Sequence, residues 1–478
     1  MSRSAHIQFI LNGQLHQVEP VDTHQTLLQY LRGQAALRGT KEGCAEGDCG
    51  ACTLVVGELS GNKIVYRALN ACILLLAQID GCEVISVEGV QDKDGGLHPV
   101  QQALVDFHGS QCGFCTPGFV MSLYAHYRNG RPADRESLKT ALAGNLCRCT
   151  GYGPILAAGQ AMYNYQQPEV MDTVSLLREI ANNELVLHVA DDDNQLFAPT
   201  NESELQQLLQ QYPTATLWAG GTDAGLWITK RLARLPTIIM LGKIAELNFV
   251  RQTSAGIHMG AMARYVDVCD ILATEWPAFG EVIRRTGSVQ VRNAGTLGGN
   301  IANGSPIGDM APVLIALGAK LTLAKQGSTR EILLEDFFVA YGQQDLGPGE
   351  YVRSIFIPTG SAQLATWKIS KRFDQDISAV LGAFCFSLAG GRITELRIAY
   401  GGMAATPKRA LATEAVLLGQ VPSEEILATA TLSLAEDFTP ISDMRASSSY
   451  RMQSAQALLR KTFSASHVYL AKTGAADA

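Results

Sequence analysis

The sequence predicts a multidomain α+β chain, and three observations predict it. At 478 residues it is long enough for about three domains. Nine of its eleven cysteines (Cys44, Cys49, Cys52, Cys72, Cys82, Cys112, Cys115, Cys147 and Cys149) precede residue 150, leaving only Cys269 and Cys385 in the rest. The hydrophobic period also changes, from short alternating runs up to about residue 88, to a helical period from residue 97, to a mixture of both after residue 200. The expected organisation is a small sheet domain at 1–88, an all-helical domain at 89–165, a linker at 166–197, and two α+β units at 198–365 and 366–478.

Each element has a local reason. HIQFIL and QLHQVE flank Asn12-Gly13, the preferred pair for a two-residue hairpin turn. Leu27, Leu28 and Leu31 make one apolar stripe of a short helix after Thr26. TLVVGEL and KIVYRAL read as strands on either side of a turn. PVQQALVDFH, TPGFVMSLYAHYR and ADRESLKTALAG are the helix candidates of the second domain, with Asp134 as N-cap of the third. QQPEV and ADDDNQ are polar and aperiodic, hence the linker reading. Asn201 and Glu204 then form a capping-box pattern, and TATLW, TIIML, KLTLAK and SIFIP read as strands between helices and glycine-rich loops. The last unit carries strands in SAVLGAFCFSLA and ELRIAYGG and a helix whose Ala455, Leu458, Leu459 and Phe463 share one face.

Composition excludes some functions. A net charge of -7 with no offsetting basic cluster argues against a nucleic-acid partner. No apolar run reaches the roughly 20 residues of a membrane span, and MSRSAHIQFI lacks the apolar core of a secretory signal. The expected location is the cytoplasm, where thiols stay reduced, so cysteines point to metal or redox chemistry before disulfides.

Cys44, Cys49, Cys52 and Cys72 have the C-x4-C-x2-C…C spacing of plant-type [2Fe–2S] ferredoxins. Such a cluster with four thiolates is anionic and needs backbone amides turned toward its sulfurs, which Gly43, Gly47 and Gly50 allow. A zinc loop is the alternative, though structural zinc favours paired C-x2-C hooks. The second set, Cys112, Cys115, Cys147 and Cys149, pairs C-x2-C with a distant C-x-C; this suits a cluster, each pair taking one iron, with zinc again the alternative. Cys82, Cys269 and Cys385 stand in apolar runs and read as core. In the rear half, LWAGGTDAGL and NAGTLGGNIANGSPIGD are not G-x-G-x-x-G after a strand, so no Rossmann site is indicated. Such loops are either plain turns or backbone nests for a pyrophosphate, with Asp309 placed to take sugar hydroxyls.

GCAEGDCGAC, QCGFCTPGF, GNLCRCTGY, AGGTDAGL, GTLGGNIANGSPIGD and AYGGMAATPKRA occur in this order, and DMRASSSYRMQSAQALL follows. From about residue 6 to 465 the chain resembles the iron–sulfur and FAD portion of the molybdenum hydroxylases, within them the small subunits of bacterial xanthine dehydrogenases. The resemblance implies a ferredoxin-like β-grasp [2Fe–2S] domain, an all-helical [2Fe–2S] domain, a vanillyl-alcohol-oxidase-type FAD domain and an α+β C-terminal flavoprotein domain. It assigns FAD contacts to Leu217, Trp218, Ala219, Gly220, Gly221, Thr222, Asp223 and Ala224, to Thr296, Leu297, Gly298, Gly299 and Asn300, and to Asp309, Val352 and Lys368. KISKRFDQDIS, residues 368–378, matches the loop where nicotinamide would enter; Val352 stands where some relatives have Leu, and Gln375 where some have Asp. The same resemblance implies a molybdopterin centre on a separate large subunit, an α2β2 assembly, no catalytic residue for hydroxylation in this chain, and electrons leaving through FAD to NAD+. Another molybdenum hydroxylase, for aldehydes or aromatic heterocycles, and a zinc-stabilised binding protein without redox activity are the competing readings.

Overall fold

The computed structural model describes residues 3–19, 22–91, 95–169, 172–181, 186–191 and 193–464. They form two compact units, one running to Ala245 and including Ser288–Gly295, the other comprising Glu246–Gly287 and the chain from Thr296.

The first unit begins with a five-stranded sheet in the order Gln14–Val18, Ile7–Leu11, Glu83–Ile85, Thr53–Ser60, Lys63–Asn70. Its hairpin turns through Asn12 and Gly13 at φ 51° and 82°, the two positive values that a primed two-residue turn requires. Ile7–Leu11 runs parallel to Glu83–Ile85, and the other pairs are antiparallel. The helix Leu27–Arg32 buries the predicted leucines, and its start is closed by a capping box in which Thr26 and Gln29 bond reciprocally.

Four α-helices follow: Pro99–Asp106, Thr116–Arg128, Arg135–Leu142 and Gly153–Ala161. Asp134 caps the third, accepting from the amides of Glu136 and Ser137 at 3.0 Å each. Phe119, Leu123, Leu138 and Ile155 join in their core. The fourth helix adds to the three expected, and it starts at Gly-Pro, a pair that more often marks a turn. Proline in a first helical turn is favourable instead, since that position has no intrahelical partner for an N–H.

The stretch 166–197 is not a plain linker. Among its described residues are the helix Val174–Ala181 and the strand Val186–Ala190, and the strand Gln195–Ala198 starts within it; 170–171, 182–185 and 192 lie outside the described residues. The described residues of the polar ADDDNQ lie where those two strands pair as a hairpin, with Asp191 accepting from the amides of Asp193 and Asn194. These strands belong to a second sheet in the order Arg3–Ser4, Val186–Ala190, Gln195–Ala198, Thr237–Met240, Thr216–Trp218. Its Leu187, Leu196, Trp218 and Ile238 share one apolar cluster with Phe9, Leu31, Ile73 and Val84 of the first domain. That shared core explains why the division between units falls at Ala245, inside the segment 198–365 read as one domain.

The second unit holds an antiparallel sheet in the order Val250–Gln252, Gly256–Gly260, Tyr351–Pro358, Lys320–Lys325, Ser328–Leu333. The helix Met310–Ala316 is buried at every position. A four-stranded sheet, Gln363–Ile369, Val380–Ala389, Arg392–Gly401 and Lys408–Arg409, follows, with the helices Leu411–Leu417, Glu424–Asp437 and Ser448–Phe463. The last buries Ala455, Leu458, Leu459 and Phe463, as the pattern predicts. Cys82, Cys269 and Cys385 pack partly buried against apolar clusters, and burial pushes the Cys385 thiol up to about 11. Among the described residues no helix is long and apolar enough to cross a membrane.

Candidate metal centres and cofactor loops

Cys44, Cys49 and Cys52 lie in the loop between the helix Leu27–Arg32 and the strand Thr53–Ser60, and Cys72 follows the strand Lys63–Asn70. The fold brings all four together: Cys52 and Cys72 have sulfurs 3.3 Å apart, and Cys44 is hydrogen-bonded to both Cys49 and Cys72. The loop turns through Ala45, Gly47 and Gly50 at φ 54°, 77° and 72°. Gly43 is needed for proximity instead, since a Cβ there would stand 2.8 Å from Cys49 Sγ. The result aims backbone at sulfur, with the amides of Glu46 and Cys49 both donating to Cys44 Sγ at 3.4 Å. Bonds from Cys49 and Cys72 hold the Cys44 thiol far below the ordinary range, and their bonds to Cys44 push Cys49 and Cys72 far above it. Sulfurs this close cannot all ionise alone, and a cationic iron centre taking all four removes the conflict.

Cys115 stands at the N-cap position of Thr116–Arg128, Cys112 lies just before it, and Cys147 and Cys149 stand in the loop before Gly153–Ala161. Thr150 donates to Cys147 Sγ through its amide at 3.4 Å and its hydroxyl at 3.2 Å. The amide of Cys147 donates to the Tyr152 hydroxyl at 2.9 Å, and Gly151 and Tyr152 both turn at φ 69°. Burial, reinforced by Cys147, pushes the Cys115 thiol up to about 12. Cys112 and Cys149 are exposed, with exposed Phe114, Leu146 and Tyr152 in the same segments. The two sets are joined through backbone: the Leu146 amide, next to Cys147, donates to the Cys49 carbonyl at 3.0 Å.

Beside the first set comes the first glycine loop. The strand Thr216–Trp218 leads through residues 219–223 into the helix Ala224–Thr229. Trp218 is 1% exposed, its ring nitrogen donating to Gln78, so only its backbone can serve a ligand. The amides of Ala219, Gly220, Gly221, Thr222 and Asp223 have no hydrogen-bond acceptor among the described residues, which makes this loop a nest for an anion. Gly225 packs on the chain just after Cys72, where a Cβ would come 2.9 Å from Ile73. Thr229 donates to the Ala45 carbonyl at 2.8 Å and Lys230 to the Cys44 carbonyl, so nest and cysteine loop are neighbours.

The second glycine segment behaves differently. Thr296 caps the helix Leu297–Asn303 by accepting from Gly299, while the amides of Leu297 and Gly298 donate to Ala263 and Ala261. The amide of Asn300 donates to the Thr296 carbonyl, so these amides are already paired and form no open nest. One group there stays open: Asn300 Oδ1 is buried without a hydrogen-bond partner among the described residues. Asp309, 6% exposed, accepts from Lys368, Ser378 and Thr286, so both oxygens are engaged within the protein. Lys368 also donates to Ser378 at 2.9 Å. Tyr265 lies against this group, its hydroxyl pushed above the usual range by burial and then by Asp309, with Asn300 bonded to it. Thr286 and Tyr265 carry no signal in the sequence, since each meets its partner through the fold, while Ser378 closes the segment KISKRFDQDIS without a role of its own being read there. Val352 is buried in Tyr351–Pro358 and pairs with Leu323 beside a register shift.

Comparison with known families identifies the domains that carry these residues. Profiles described as a 2Fe-2S iron-sulfur cluster binding domain and a [2Fe-2S] binding domain match residues 9–76 and 86–160. Those of an FAD binding domain in molybdopterin dehydrogenase and a CO dehydrogenase flavoprotein C-terminal domain match 192–360 and 365–466. The chain belongs to the molybdenum hydroxylases, as their iron–sulfur and FAD portion. These matches set aside the zinc-protein reading.

Among curated molybdenum hydroxylases it is 32% identical to a xanthine dehydrogenase/oxidase of Gallus gallus, over 89% of this chain and 37% of that one. It is 33% identical to the same-named protein of Rattus norvegicus, over 90% and 36%. The chain thus spans about a third of the length of these relatives. Two solved structures are similar: a carbon monoxide dehydrogenase from Hydrogenophaga pseudoflava (28% identity, 56% of this chain, 94% of that one, TM-score 0.53) and quinoline 2-oxidoreductase from Pseudomonas putida 86 (27%, 58%, 96%, TM-score 0.52).

Two outcomes test the site. Cys49→Ala should lower iron from about four to about two atoms per chain while the spectrum of the second set persists; iron analysis and electron paramagnetic resonance (EPR) check this, and loss of all iron contradicts it. Lys368→Met leaves the buried Asp309 carboxylate with hydroxyl donors alone and should cost about 3–5 kcal/mol, read from denaturant unfolding.

Proposed function

We propose that this chain carries electrons from a molybdopterin centre on a large partner subunit through its second cysteine set, its first set and FAD to NAD+, in the oxidation of hypoxanthine and xanthine to urate. The observation that carries the order is the adjacency within the first unit. The Leu146 amide ties the second set to Cys49, and Thr229 and Lys230 tie the first set to the element following the nest. When bound, the clusters supply one-electron steps, and FAD gathers electrons for delivery as a hydride.

The protein's own residues do the holding. Within the first unit, the nest at 219–223 offers amides to a pyrophosphate. Asp309 fixes Lys368 through Oδ2 and Ser378 through Oδ1. The loop after Lys368 is pinned at one side: Arg285 donates to the Phe373 carbonyl at 2.7 Å, and Gln375, at φ 56°, donates its amide to the Arg285 carbonyl. Phe373 itself is 73% exposed and stacks under the Arg285 guanidinium, an open face at which a nicotinamide could arrive. The exposed Cys112 and Cys149, with Phe114, Leu146 and Tyr152, give the second set a surface on which a molybdopterin subunit would dock, in an α2β2 assembly in the cytoplasm.

The xanthine dehydrogenase names of the relatives support a purine substrate. The likeness to quinoline 2-oxidoreductase favours a second reading, the same relay serving an aromatic heterocycle. Copurification with the molybdenum subunit, followed by assays of NAD+ reduction with xanthine, an aldehyde and quinoline, separates them. Xanthine-dependent NADH formation is expected; turnover of quinoline alone, or of xanthine only with an artificial dye, would contradict the proposal.

A further inference from the structure

The short helix Val289–Ala294 belongs to the cysteine-bearing unit, although the chain enters it from Gly287 and leaves it into Thr296, both of the other unit. Its Gln290 is 1% exposed. The side-chain amide donates to Thr53 Oγ1 at 3.1 Å, Asn145 Oδ1 at 3.3 Å and Ser122 Oγ at 3.4 Å. Thr53 follows Cys52, Ser122 stands on the helix that follows Cys115, and Asn145 is two residues before Cys147. One buried side chain therefore touches the ligand-bearing elements of both sets.

Proton accounting fixes its orientation. The Thr53 hydroxyl donates to the Gly50 carbonyl at 2.6 Å and the Ser122 hydroxyl to Asn145 Oδ1 at 2.7 Å, so Gln290 must present its amino group to them. Asn145 bridges onward, donating to the Gly50 carbonyl at 3.2 Å and Thr53 Oγ1 at 3.3 Å. Gln290 Oε1 is left buried without a hydrogen-bond partner among the described residues, against Gly144. The junction is closed to a distance that only glycine permits. A Cβ on Gly144 would meet Gln290 Oε1 at 2.1 Å, one on Gly50 the Gly144 carbonyl at 2.2 Å, and one on Gly118 the Gly50 carbonyl at 2.2 Å. An orphaned oxygen and three such approaches are costly to keep, and local stability has cheaper solutions.

We propose that Gln290, acting through Asn145, is a positioning residue that sets the separation of the two clusters and hence the rate of electron exchange between them. This rests on both sets holding clusters, which iron content decides independently. The test uses the purified full chain with its cofactors, as Gln290→Leu, which keeps bulk and loses the amide, and as Gly144→Ala, whose methyl displaces Gln290 without altering a residue of the hub. Iron and the separate EPR g-values of each cluster report whether both clusters are built. The splitting between them when both are reduced falls with the cube of their separation and reports spacing, and pulse radiolysis reports exchange.

Both variants should keep their iron and g-values, show a narrower splitting, and exchange electrons several-fold more slowly. Wild-type splitting and rate in both variants would overturn the proposal. So would loss of iron from both, because Gln290 would then hold a cluster together rather than space two.

Discussion

The hydrogen bond from the Leu146 amide to the Cys49 carbonyl is the contact on which the rest of the first unit depends. Two groups of four thiolates must be kept near each other without their charges meeting in an apolar interior, where unpaired charge is costly. The donors that reach these sulfurs are amides and a hydroxyl: the amides of Glu46 and Cys49 at Cys44, and the amide and hydroxyl of Thr150 at Cys147. Donors of this kind need the backbone itself brought to the sulfur. That requirement explains the left-handed Ala45, Gly47 and Gly50 and the bare Gly43, and it leaves the loop too irregular to be held by its own secondary structure. It is held by its neighbours, Asn145 on one side and Thr229 and Lys230 on the other.

The second unit solves a related problem with a charged network. Asp309 opens the wholly buried helix Met310–Ala316 and would keep only Thr286 without Lys368, from the strand Gln363–Ile369, and Ser378, from the loop after it. Removing either partner of such a pair exposes the cost of the other, so the network ties the sheet that begins at Gln363 to the helix before it. The same pairing fixes Lys368, and through the chain the loop that follows. A flavin bound as proposed would need that precision, since a cofactor site on a mobile loop loses geometry.

What was legible in the sequence was what has short-range causes. Asn12-Gly13 set a hairpin, Thr26 and Asp134 set helix starts, and the helix Thr116–Arg128 occupies the span its pattern marks. The cysteine sets were legible because ligand spacing is itself local chemistry. The helix Gly153–Ala161 was missed because Gly-Pro is read as punctuation, and the strands at Val186–Ala190 and Gln195–Ala198 because their apolar runs are short and their partners distant. The hub at Gln290 had no local trace at all: its partners lie 145 to 237 residues away, and a buried glutamine in a six-residue helix looks like any other polar position. Asp309 was recognised, but a sequence could not show that its oxygens are bound within the protein.

The central claim, that this chain is a relay of two iron–sulfur clusters and a flavin, is tested most directly by counting electrons. Anaerobic titration of the purified chain with dithionite, followed by optical and EPR spectra, should take up about four electron equivalents, one for each cluster and two for FAD. Two distinct cluster signals should emerge as the flavin bleaches. Uptake of about two equivalents with no cluster signal, or none at all from a colourless preparation, would contradict it.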